Sequence, residues 1–339
     1  MSRDRTSADG HDSGPVHDLL DVVVVGGGAA GLSAALVLAR ARRRVAVVDA
    51  GQPRNAPAAH MHGFLGSDGL PPSDLLARGR REVTGYGGHL VHGRATDLRR
   101  APADGTDAVA VFAVALADRT ALHARRVLVT TGLRDDLPDI PGVRGRWGRD
   151  LLHCPYCHGY EVRDRPVGVL GGTTDALTHA HVVRQWSDDV VYFTNGQTLT
   201  ADQRQQLVAR AVGIVDDPVT RLVVDDDRLT GVELATGQVV PRTAVFVRPR
   251  LVPHDELLTG LGCATQPGGW VATDATGRTS IPGVWAAGNA VNPRAQVITA
   301  AGEGSEAAIA INNDLVDEDT TEAVTSFRLG LQVPTHVAL

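Results

Sequence analysis

The chain has 339 residues, a hydrophobic fraction of 43% and a formal net charge of −6, which suits a globular protein with room for two domains. The weak negative charge and the lack of a long basic run argue against nucleic acid as a partner. No apolar run reaches the roughly 18 residues of a membrane helix, and residues 1–18 resemble a polar, disordered tail rather than a secretory signal. We therefore expect a cytoplasmic protein without a membrane anchor.

The first predicted elements form a βαβ unit. Residues 21–25, DVVVV, are typical of a buried parallel strand. Residues 29–43 are rich in Ala and Leu and predict a helix, and residues 44–49 predict the next strand. This length is about the ~30 residues expected of such a unit.

The turn of this unit carries a dinucleotide-binding pattern. Gly26, Gly28 and Gly31 fit G-x-G-x-x-G between the strand and the helix, and Asp49 ends the second strand, where an acid can bind a ribose. Gly26 allows the tight turn, Gly28 lets the backbone approach a pyrophosphate, and Gly31 lets helix and strand pack closely. The helix N-terminus adds free N–H donors. This pattern alone does not separate FAD from NAD.

The next part of the chain is less regular. Residues 51–73 are rich in Pro, Gly, Asn and His and predict an ordered loop near a site. Strands are predicted at 88–95, 109–116 and 126–130. The turn-rich residues 130–145 then close a first lobe.

A paired cysteine motif follows, in LLHCPYCHGYE. Cys154, Cys157 and His158 could belong to a zinc site, a haem attachment string or a redox dithiol. Zinc usually takes its four ligands from two separated pairs, and the neighbours His153 and Cys154 cannot easily reach one ion. Haem attachment follows export, for which no signal is predicted. We therefore favour the redox dithiol and expect no metal; the isolated Cys263 fits a buried apolar position.

A second βαβ unit is predicted directly after the cysteines. Residues 165–186 predict a strand and a helix, and residues 190–194 predict the second strand. Its glycine loop keeps Gly171, but Thr173 stands at the second glycine position and Ala176 at the third. A β-branched side chain is unfavourable where the backbone should meet a pyrophosphate.

The end of that second strand also lacks the residues that read a nicotinamide cofactor. Residues 194–197 are Thr, Asn, Gly and Gln, whereas NADPH needs arginines there and NADH an acid. The alternative is that Arg184 or Arg221 supplies the contact from elsewhere. We predict a domain that kept its fold and lost its cofactor.

The C-terminal part predicts a strand, a turn and a long helix over residues 280–315. Weak periodicity after residue 316 predicts a C-terminal tail, assigned to residues 321–339.

Three segments together carry a family resemblance. These are VVVVGGGAAGLSAALVLAR, the C-x-x-C before the second βαβ unit, and TSIPGVWAAGNAVNPRAQVITAAGEGSEAA. Over about residues 20–315 they resemble the low-molecular-weight thioredoxin reductase family of flavoproteins. CPYCHGYE looks most like the FAD-dependent dithiol oxidases of the holomycin and gliotoxin type, since thioredoxin reductases usually have an acid where this chain has His158.

The resemblance implies an α/β fold with two Rossmann-like (three-layer ββα) nucleotide-binding domains, the second inserted into the first. We assign residues 19–145 and 252–320 to a discontinuous FAD-binding domain. Residues 146–251 are assigned to the inserted redox-active domain with a degenerate NAD(P)H site. A homodimer is also implied.

The resemblance further assigns residues to the site. Cys157 is expected against the flavin, and Cys154 is expected to exchange with substrate. Asn289 stands where the family has Asp, and its amide still offers a carbonyl acceptor. The expected FAD contacts are Gly26, Gly28, Ala29, Ala30, Gly31, Asp49, Arg54, Asn55, Thr131, Gly132, Gly288, Asn289, Arg294, Ala295 and Gln296.

These observations predict an FAD-dependent dithiol oxidase. Without NADPH, electrons enter from a small natural-product dithiol and leave to O2, giving H2O2. His158 is the candidate general base, or else only a surface histidine, and His60 and His62 are substrate-side candidates that could relay protons. Two alternatives stay open: a thioredoxin-reductase-like disulfide reductase fed by NADPH or ferredoxin, and a non-catalytic flavin redox sensor.

Overall fold

The computed structural model of the chain describes residues 19–101, 111–173 and 175–330. The predicted tail over residues 1–18 and residues 331–339 of the predicted C-terminal tail lie outside these ranges. Within them, every helix is too short or too polar to cross a membrane.

The described residues form seventeen strands and eight α-helices. The strands are β1 (Leu20–Val25), β2 (Val45–Asp49), β3 (His89–His92), β4 (Ala95–Arg100), β5 (Phe112–Leu116), β6 (Ala121–Val129), β7 (Leu133–Asp136), β8 (Leu151–Leu152), β9 (Val167–Leu170), β10 (Val190–Phe193), β11 (Val212–Val215), β12 (Val219–Asp225), β13 (Arg228–Leu234), β14 (Val239–Pro241), β15 (Ala244–Val247), β16 (Arg250–Pro253) and β17 (Val284–Ala286). The helices are α1 (Ala29–Arg40), α2 (Pro72–Gly85), α3 (Val143–Arg146), α4 (Pro155–His158), α5 (Ala176–Val183), α6 (Ala201–Ala209), α7 (Glu256–Gly260) and α8 (Val297–Arg328).

The first sheet contains seven strands in the order β3-β2-β1-β6-β5-β4, with β17 beside the carboxyl-terminal half of β6. β1 pairs in parallel with β2 and β6, and β17 is parallel to β6. These parallel strands end at one edge, at Val25, Asp49, Val129 and Ala286. Open α/β sheets bind ligands outside this carboxyl edge.

The burial of β1 explains why the first apolar run shows no polar alternation. Val23 and Val25 face one core, whereas Val22 and Val24 face the core beneath α1, α2 and α8. From Val22 to Val25 both faces of the strand are buried, which favours apolar side chains at each of these positions. α1 and α8 cross closely because Gly304 has no side chain; a Cβ there would lie 2.0 Å from the Ala30 carbonyl oxygen.

The second lobe contains a parallel sheet of five strands in the order β11-β10-β9-β15-β8. α5 and α6 cover one face of this sheet with a core that includes Ala180 and Leu207. The antiparallel sheet β12-β13-β14 covers the other face. This lobe therefore has its own core and three layers.

Two antiparallel strands, β7 and β16, connect the lobes side by side. The chain leaves the first lobe after β6 and returns to it before α7. The predicted fold, two Rossmann-like α/β domains with the second inserted into the first, is confirmed. The assigned boundaries near 145 and 252 remain predictions; Val143 of α3 already packs in a core of the second lobe.

Among the elements that differ from the sequence prediction, three bear most on the fold. α2 was not predicted: its first two residues belong to the predicted loop 51–73, the rest had no assigned element, and Pro72 lies in its first turn. The strand predicted over 126–130 begins at Ala121, because its first half pairs with β5. Residues 321–328, predicted as tail, continue α8; in the turn before them, Asp319 and Glu318 accept hydrogen bonds from Arg125 and Arg126.

Candidate active site

One cavity of about 670 Å³ opens at the carboxyl edge of the first sheet and extends to the cysteine pair of the second lobe. All the predicted site residues except Gly31 line it. They are Gly26, Gly28, Ala29, Ala30, Asp49, Arg54, Asn55, His60, His62, Thr131, Gly132, Cys154, Cys157, His158, Gly288, Asn289, Arg294, Ala295 and Gln296. Segments more than 250 residues apart in sequence therefore share one site.

The first glycine loop has the geometry of a phosphate cradle. Gly26 has φ +114°, and a Cβ there would lie 2.4 Å from the Thr130 carbonyl oxygen. A Cβ on Gly31 would lie 1.8 Å from the Gly26 carbonyl oxygen, so Gly31 permits helix–strand packing rather than lining the cavity. At Gly28 a Cβ would meet no atom within 4 Å, which leaves open space in front of the helix.

The residues around this space fit an FAD. α1 begins after Gly28 and α8 after Gln296, and neither helix has a side-chain cap at its N-terminus. Their free N–H groups and positive dipole ends suit a pyrophosphate. Asp49 at the end of β2 suits a ribose hydroxyl.

Arg80 of α2 fixes the carboxylate of Asp49. Its Nη2 donates to Asp49 Oδ2 at 2.9 Å, and the Gly51 N–H donates to Oδ1 at 3.0 Å. A Cβ on Gly27 would lie 2.5 Å from the Asp49 carboxylate, so the acid packs directly on the glycine loop. Arg80 was not predicted, because α2 itself was not.

Glu303 of α8 holds the C-terminal turn at the cavity. Its carboxylate accepts the Gly288 N–H at 2.9 Å and the Asn292 side-chain N–H at 2.6 Å. Asn289 Nδ2 donates to the carbonyl oxygens of Asn292 (2.9 Å) and Ala295 (3.0 Å). The amide of Asn289 therefore stabilises its own turn. Glu303 lies within the segment quoted for the family resemblance but was not predicted as a site residue.

Arg54 lies where the two lobes meet. Its guanidinium forms a bidentate pair with Asp135 of β7, at 2.8 and 2.6 Å, and its Nη1 lies 3.4 Å from Asn289 Oδ1. The Asp135 side chain is nearly buried. This pair orients the loop predicted from residues 51–73, and Asp135 was not predicted to take part.

The two cysteines form a disulfide on the short helix α4, with their Cα atoms 5.2 Å apart. Cys154 precedes the helix, and its carbonyl oxygen accepts the N–H groups of Cys157 and His158, both at 3.1 Å. Both cysteines are half-buried and reach the cavity. The disulfide therefore lies on a hydrogen-bonded turn and is accessible to a small ligand.

Burial lowers the pKa of His158 below its usual value, the Glu161 carboxylate opposes that shift, and His62 adds to it. The imidazole is therefore neutral at neutral pH, as a general base must be. It lies directly after Cys157 and lines the cavity.

The two loop histidines have different surroundings. His62 bridges the lobes, with Nδ1 3.2 Å from Asp68 Oδ2 and Nε2 3.5 Å from Glu161 Oε1. His60 Nδ1 lies 3.0 Å from the Gly69 carbonyl oxygen of its own loop. His62 therefore reaches the cysteine segment, whereas His60 makes a local loop contact.

The lining of the cavity includes a cationic residue that was not predicted. Arg248, after β15, lines the cavity with His153. Burial and the charge of Arg54 lower the pKa of His153. Burial, His153 and Arg248 lower the pKa of His179 to about 3. These two histidines are neutral at neutral pH, and their ring centroids are 6.2 Å apart.

The second glycine loop forms a hydrogen bond with a side chain of its own lobe. The Oε1 atom of Gln197 accepts the Gly172 N–H at 3.4 Å and the Tyr192 hydroxyl at 2.5 Å. Asn195 Oδ1 accepts the Val219 N–H at 3.2 Å. The polar side chains that follow β10 therefore bind groups of their own lobe.

The two arginines considered as substitutes for a phosphate-reading residue are also engaged elsewhere. Arg184 binds Asp188 at 2.5 Å, and Arg221 binds Glu233 at 2.6 Å.

Cys263 is buried in the first-lobe core, with its Sγ 3.6 Å from Thr279 Oγ1. Across the residues that the structure describes, no group of three or more His, Cys, Asp or Glu side chains could hold a metal ion.

Comparison with known proteins places these features in a wider group. Residues 20–304 match the family model for pyridine nucleotide-disulphide oxidoreductases. The solved structure of HlmI is 58% identical, covers 93% of this chain and 98% of its own, and has a TM-score of 0.89. Thioredoxin reductase aclD of Aspergillus oryzae is 30% identical over 89% of this chain and 98% of its own length. Thioredoxin reductase sirT of Leptosphaeria maculans is 29% identical over 89% and 96%.

Proposed function

This chain belongs to the pyridine nucleotide-disulphide oxidoreductase family, as a thioredoxin-reductase-like thiol/disulfide oxidoreductase, and we propose that it is an FAD-dependent dithiol oxidase. Its substrate is a small natural-product dithiol, which leaves as an intramolecular disulfide while O2 is reduced to H2O2. One observation carries the proposal: the Cys154–Cys157 disulfide and the first glycine loop line the same cavity.

The first half-reaction takes place at the disulfide. A substrate thiolate attacks Cys154 Sγ, the Cys154–Cys157 bond breaks, and Cys157 takes the electron pair as a thiolate. The second substrate thiol then attacks the substrate sulfur of the mixed disulfide, and Cys154 leaves as a thiolate. Neutral His158 accepts a proton from the incoming thiol, because only a thiolate is an effective nucleophile.

The second half-reaction restores the disulfide. When bound, FAD supplies a two-electron acceptor that O2 can reoxidise. Two electrons leave the cysteine pair in each turnover, and the two protons come from the substrate thiols, one of them through His158, so that one dithiol and one O2 give one disulfide and one H2O2. In this scheme Cys157 faces the cofactor and Cys154 faces the substrate.

The residues of the first lobe would hold the FAD. The open space at Gly28 and the N-terminus of α1 suit its pyrophosphate, and Asp49 suits its ribose. Glu303 and Asn289 shape the turn before α8 on the opposite side of the cavity.

The second glycine loop supports electron entry from a dithiol rather than from a nicotinamide cofactor. Gln197 holds the Gly172 N–H, a group that would otherwise be free for a pyrophosphate oxygen. Thr173 stands where the motif needs a glycine. Relatives named thioredoxin reductase support a reductase as the alternative function, and the response of the flavin to NADPH distinguishes it from the oxidase.

We also propose a cytoplasmic homodimer. Val316, Val324 and Phe327 of α8 are exposed apolar side chains on the C-terminal half of this helix, which supports a partner surface there. Light scattering at increasing concentration tests the assembly, and a constant monomer mass would rule it out.

The test of function follows the flavin absorbance of the purified protein without oxygen. Dihydrolipoamide should bleach the flavin band and air should restore it with formation of H2O2, whereas NADPH should leave it unchanged. Cys157→Ser is the matched variant: it should keep its flavin and lose bleaching by the dithiol. Prompt bleaching of the unmodified protein by NADPH would overturn the proposal in favour of a reductase.

A further inference from the structure

Tyr156 is an exposed aromatic residue between the two cysteines. Its side chain is 68% exposed, yet it also lines the cavity that holds the disulfide. Tyrosine is enriched at binding interfaces, where its ring contacts a ligand and its hydroxyl stays in water. The reaction scheme above gives this ring no role.

The ring of Tyr156 packs against an aromatic neighbour. Trp186 meets it edge to face, with centroids 5.6 Å apart and an interplanar angle of 88°. Trp186 is held in turn against Gly159, where a Cβ would lie 2.7 Å from the indole ring. This packing fixes the phenol ring beside the disulfide and leaves ring surface open to a ligand.

A second tyrosine on the same segment provides an internal comparison. Tyr160 is 64% exposed, about as much as Tyr156. The guanidinium of Arg163 lies 3.9 Å from its ring centroid and covers one face, and Tyr160 is not among the described residues that line the cavity. The two tyrosines are therefore about equally exposed but differ in their surroundings. Tyr156 lines the cavity with its ring open, whereas Tyr160 lies outside the cavity and Arg163 covers one face of its ring.

We propose that Tyr156 determines substrate specificity by receiving the flat face of a planar dithiol while the two substrate sulfurs reach the Cys154–Cys157 disulfide. This inference rests on the proposed dithiol oxidase function and names its substrate class: compact dithiols with a π face, in preference to aliphatic dithiols. Ring stacking of this kind is worth about 1 kcal/mol beyond area burial, which corresponds to roughly a 5-fold change in affinity.

The test measures binding of cyclic disulfides, the product form, because binding requires no turnover. The probes are the planar naphtho[1,8-cd][1,2]dithiole and the aliphatic lipoamide, titrated by calorimetry into the flavin-loaded, oxidised protein. The unmodified protein should bind the planar probe more tightly. Tyr156→Ala should raise the Kd of the planar probe roughly 5- to 10-fold and leave that of lipoamide unchanged.

Three further variants separate a specificity role from a structural one. Tyr156→Phe should bind the planar probe like the unmodified protein, and Tyr156→Leu, which keeps apolar bulk, should weaken it as Tyr156→Ala does. Tyr160→Ala should change neither Kd. Retention of the flavin spectrum verifies folding, and the Phe and Leu variants decide the matter if the Ala variant does not fold.

Equal weakening of both probes, or an unchanged Kd in Tyr156→Ala and Tyr156→Leu, would overturn the inference. Absence of any preference for the planar probe in the unmodified protein would do the same. If the protein binds both probes but consumes no O2 with either dithiol, the oxidase proposal fails, and the ratio of the two Kd values still decides the role of Tyr156.

Discussion

At the scale of single residues, the protonation state of His158 decides whether the disulfide site can accept a proton. Burial keeps the pKa of this imidazole low, and the carboxylate of Glu161 limits the effect. A histidine with a lowered pKa remains a neutral base at pH values where an exposed histidine is half protonated, near 6.5. The protonation state of His158 is therefore set by its burial rather than by its position directly after Cys157.

This arrangement predicts the acid limb of the pH–rate profile. The turnover rate should fall only below about pH 6.5, as His158 becomes protonated, and Glu161→Gln should move the fall to still lower pH because a group that favours the protonated form is lost. His158→Asn should lower kcat by roughly 100-fold and remove this limb. Steady-state dithiol oxidation between pH 5 and 8 tests both expectations.

The exposed His123 on β6 offers a control, and His123→Asn should leave the profile unchanged. An unaltered acid limb in His158→Asn would exclude this histidine as the base.

Asn289 has a structural role that the sequence motif does not indicate. The family resemblance expects Asp at this position, as an acceptor toward the cofactor. Here the Nδ2 group donates to two carbonyl oxygens, of Asn292 and Ala295, which a carboxylate would instead repel. The substitution of Asn for Asp is therefore consistent with a role in holding the turn.

At the scale of elements, α8 is clamped to the first sheet by ion pairs of β6. Arg126 is 6% exposed, and its guanidinium binds Asp314 at 2.6 Å and Glu318 at 2.5 Å. Arg125 binds Glu318 and Asp319, both at 2.5 Å. Asp314 and Glu318 are four residues apart and lie on one face of α8, and Asp319 directly follows Glu318, so that one turn of the helix meets both arginines.

Arg126→Ala should therefore destabilise the first lobe by about 3 kcal/mol. This is the lower end of the range for breaking a buried pair, since the side chains of Asp314 and Glu318 are 21% and 23% exposed. The free energy of unfolding in urea measures the effect. Arg99→Ala is the control, because Arg99 lies 3.9 Å from Asp97 and is 70% exposed; its loss should cost less than about 0.5 kcal/mol. Equal effects of the two variants would refute the clamp.

At the scale of the whole molecule, the site exists only because the two lobes meet. Pro57 of the first lobe approaches Gly148 of the second so closely that a Cβ on Gly148 would lie 2.8 Å from it. His62 contacts Glu161 across the same boundary, at 3.5 Å. These contacts, with the β7–β16 connection, place the disulfide beside the glycine loop of the other lobe.

The stability of the molecule in acid should depend on His179. Its pKa is about 3 in the folded protein and near 6.5 when unfolded. Below pH 6.5 the unfolded chain takes up a proton that the folded chain cannot, so stability should fall by up to about 1.4 kcal/mol per pH unit until the pH reaches the folded pKa.

His179→Leu should therefore reduce the loss of stability between pH 6 and pH 4, as measured by urea unfolding of the second lobe. The exposed His123 again serves as control, through His123→Leu, which should keep the full pH dependence. An identical slope in His179→Leu and the unmodified protein would contradict the prediction.

The sequence by itself determined the features that depend on neighbouring residues. Gly26 adopts φ +114°, and a Cβ on Gly31 would lie 1.8 Å from the Gly26 carbonyl oxygen, so backbone sterics within one turn favour glycine at both positions. The apolar strand β1, the helix α1 and the C-x-x-C spacing are likewise local patterns. The family resemblance added the order of the lobes and the disulfide chemistry.

Only the tertiary structure decided which distant groups complete the site. Asp135 meets Arg54 across 81 residues, Arg80 meets Asp49 across 31, and Gln197 meets Gly172 across 25. Tyr156 and Trp186 come together in the same way. A pair of this kind leaves no periodic pattern in the chain, because its partners are set by how packed elements orient their side chains rather than by spacing along the backbone.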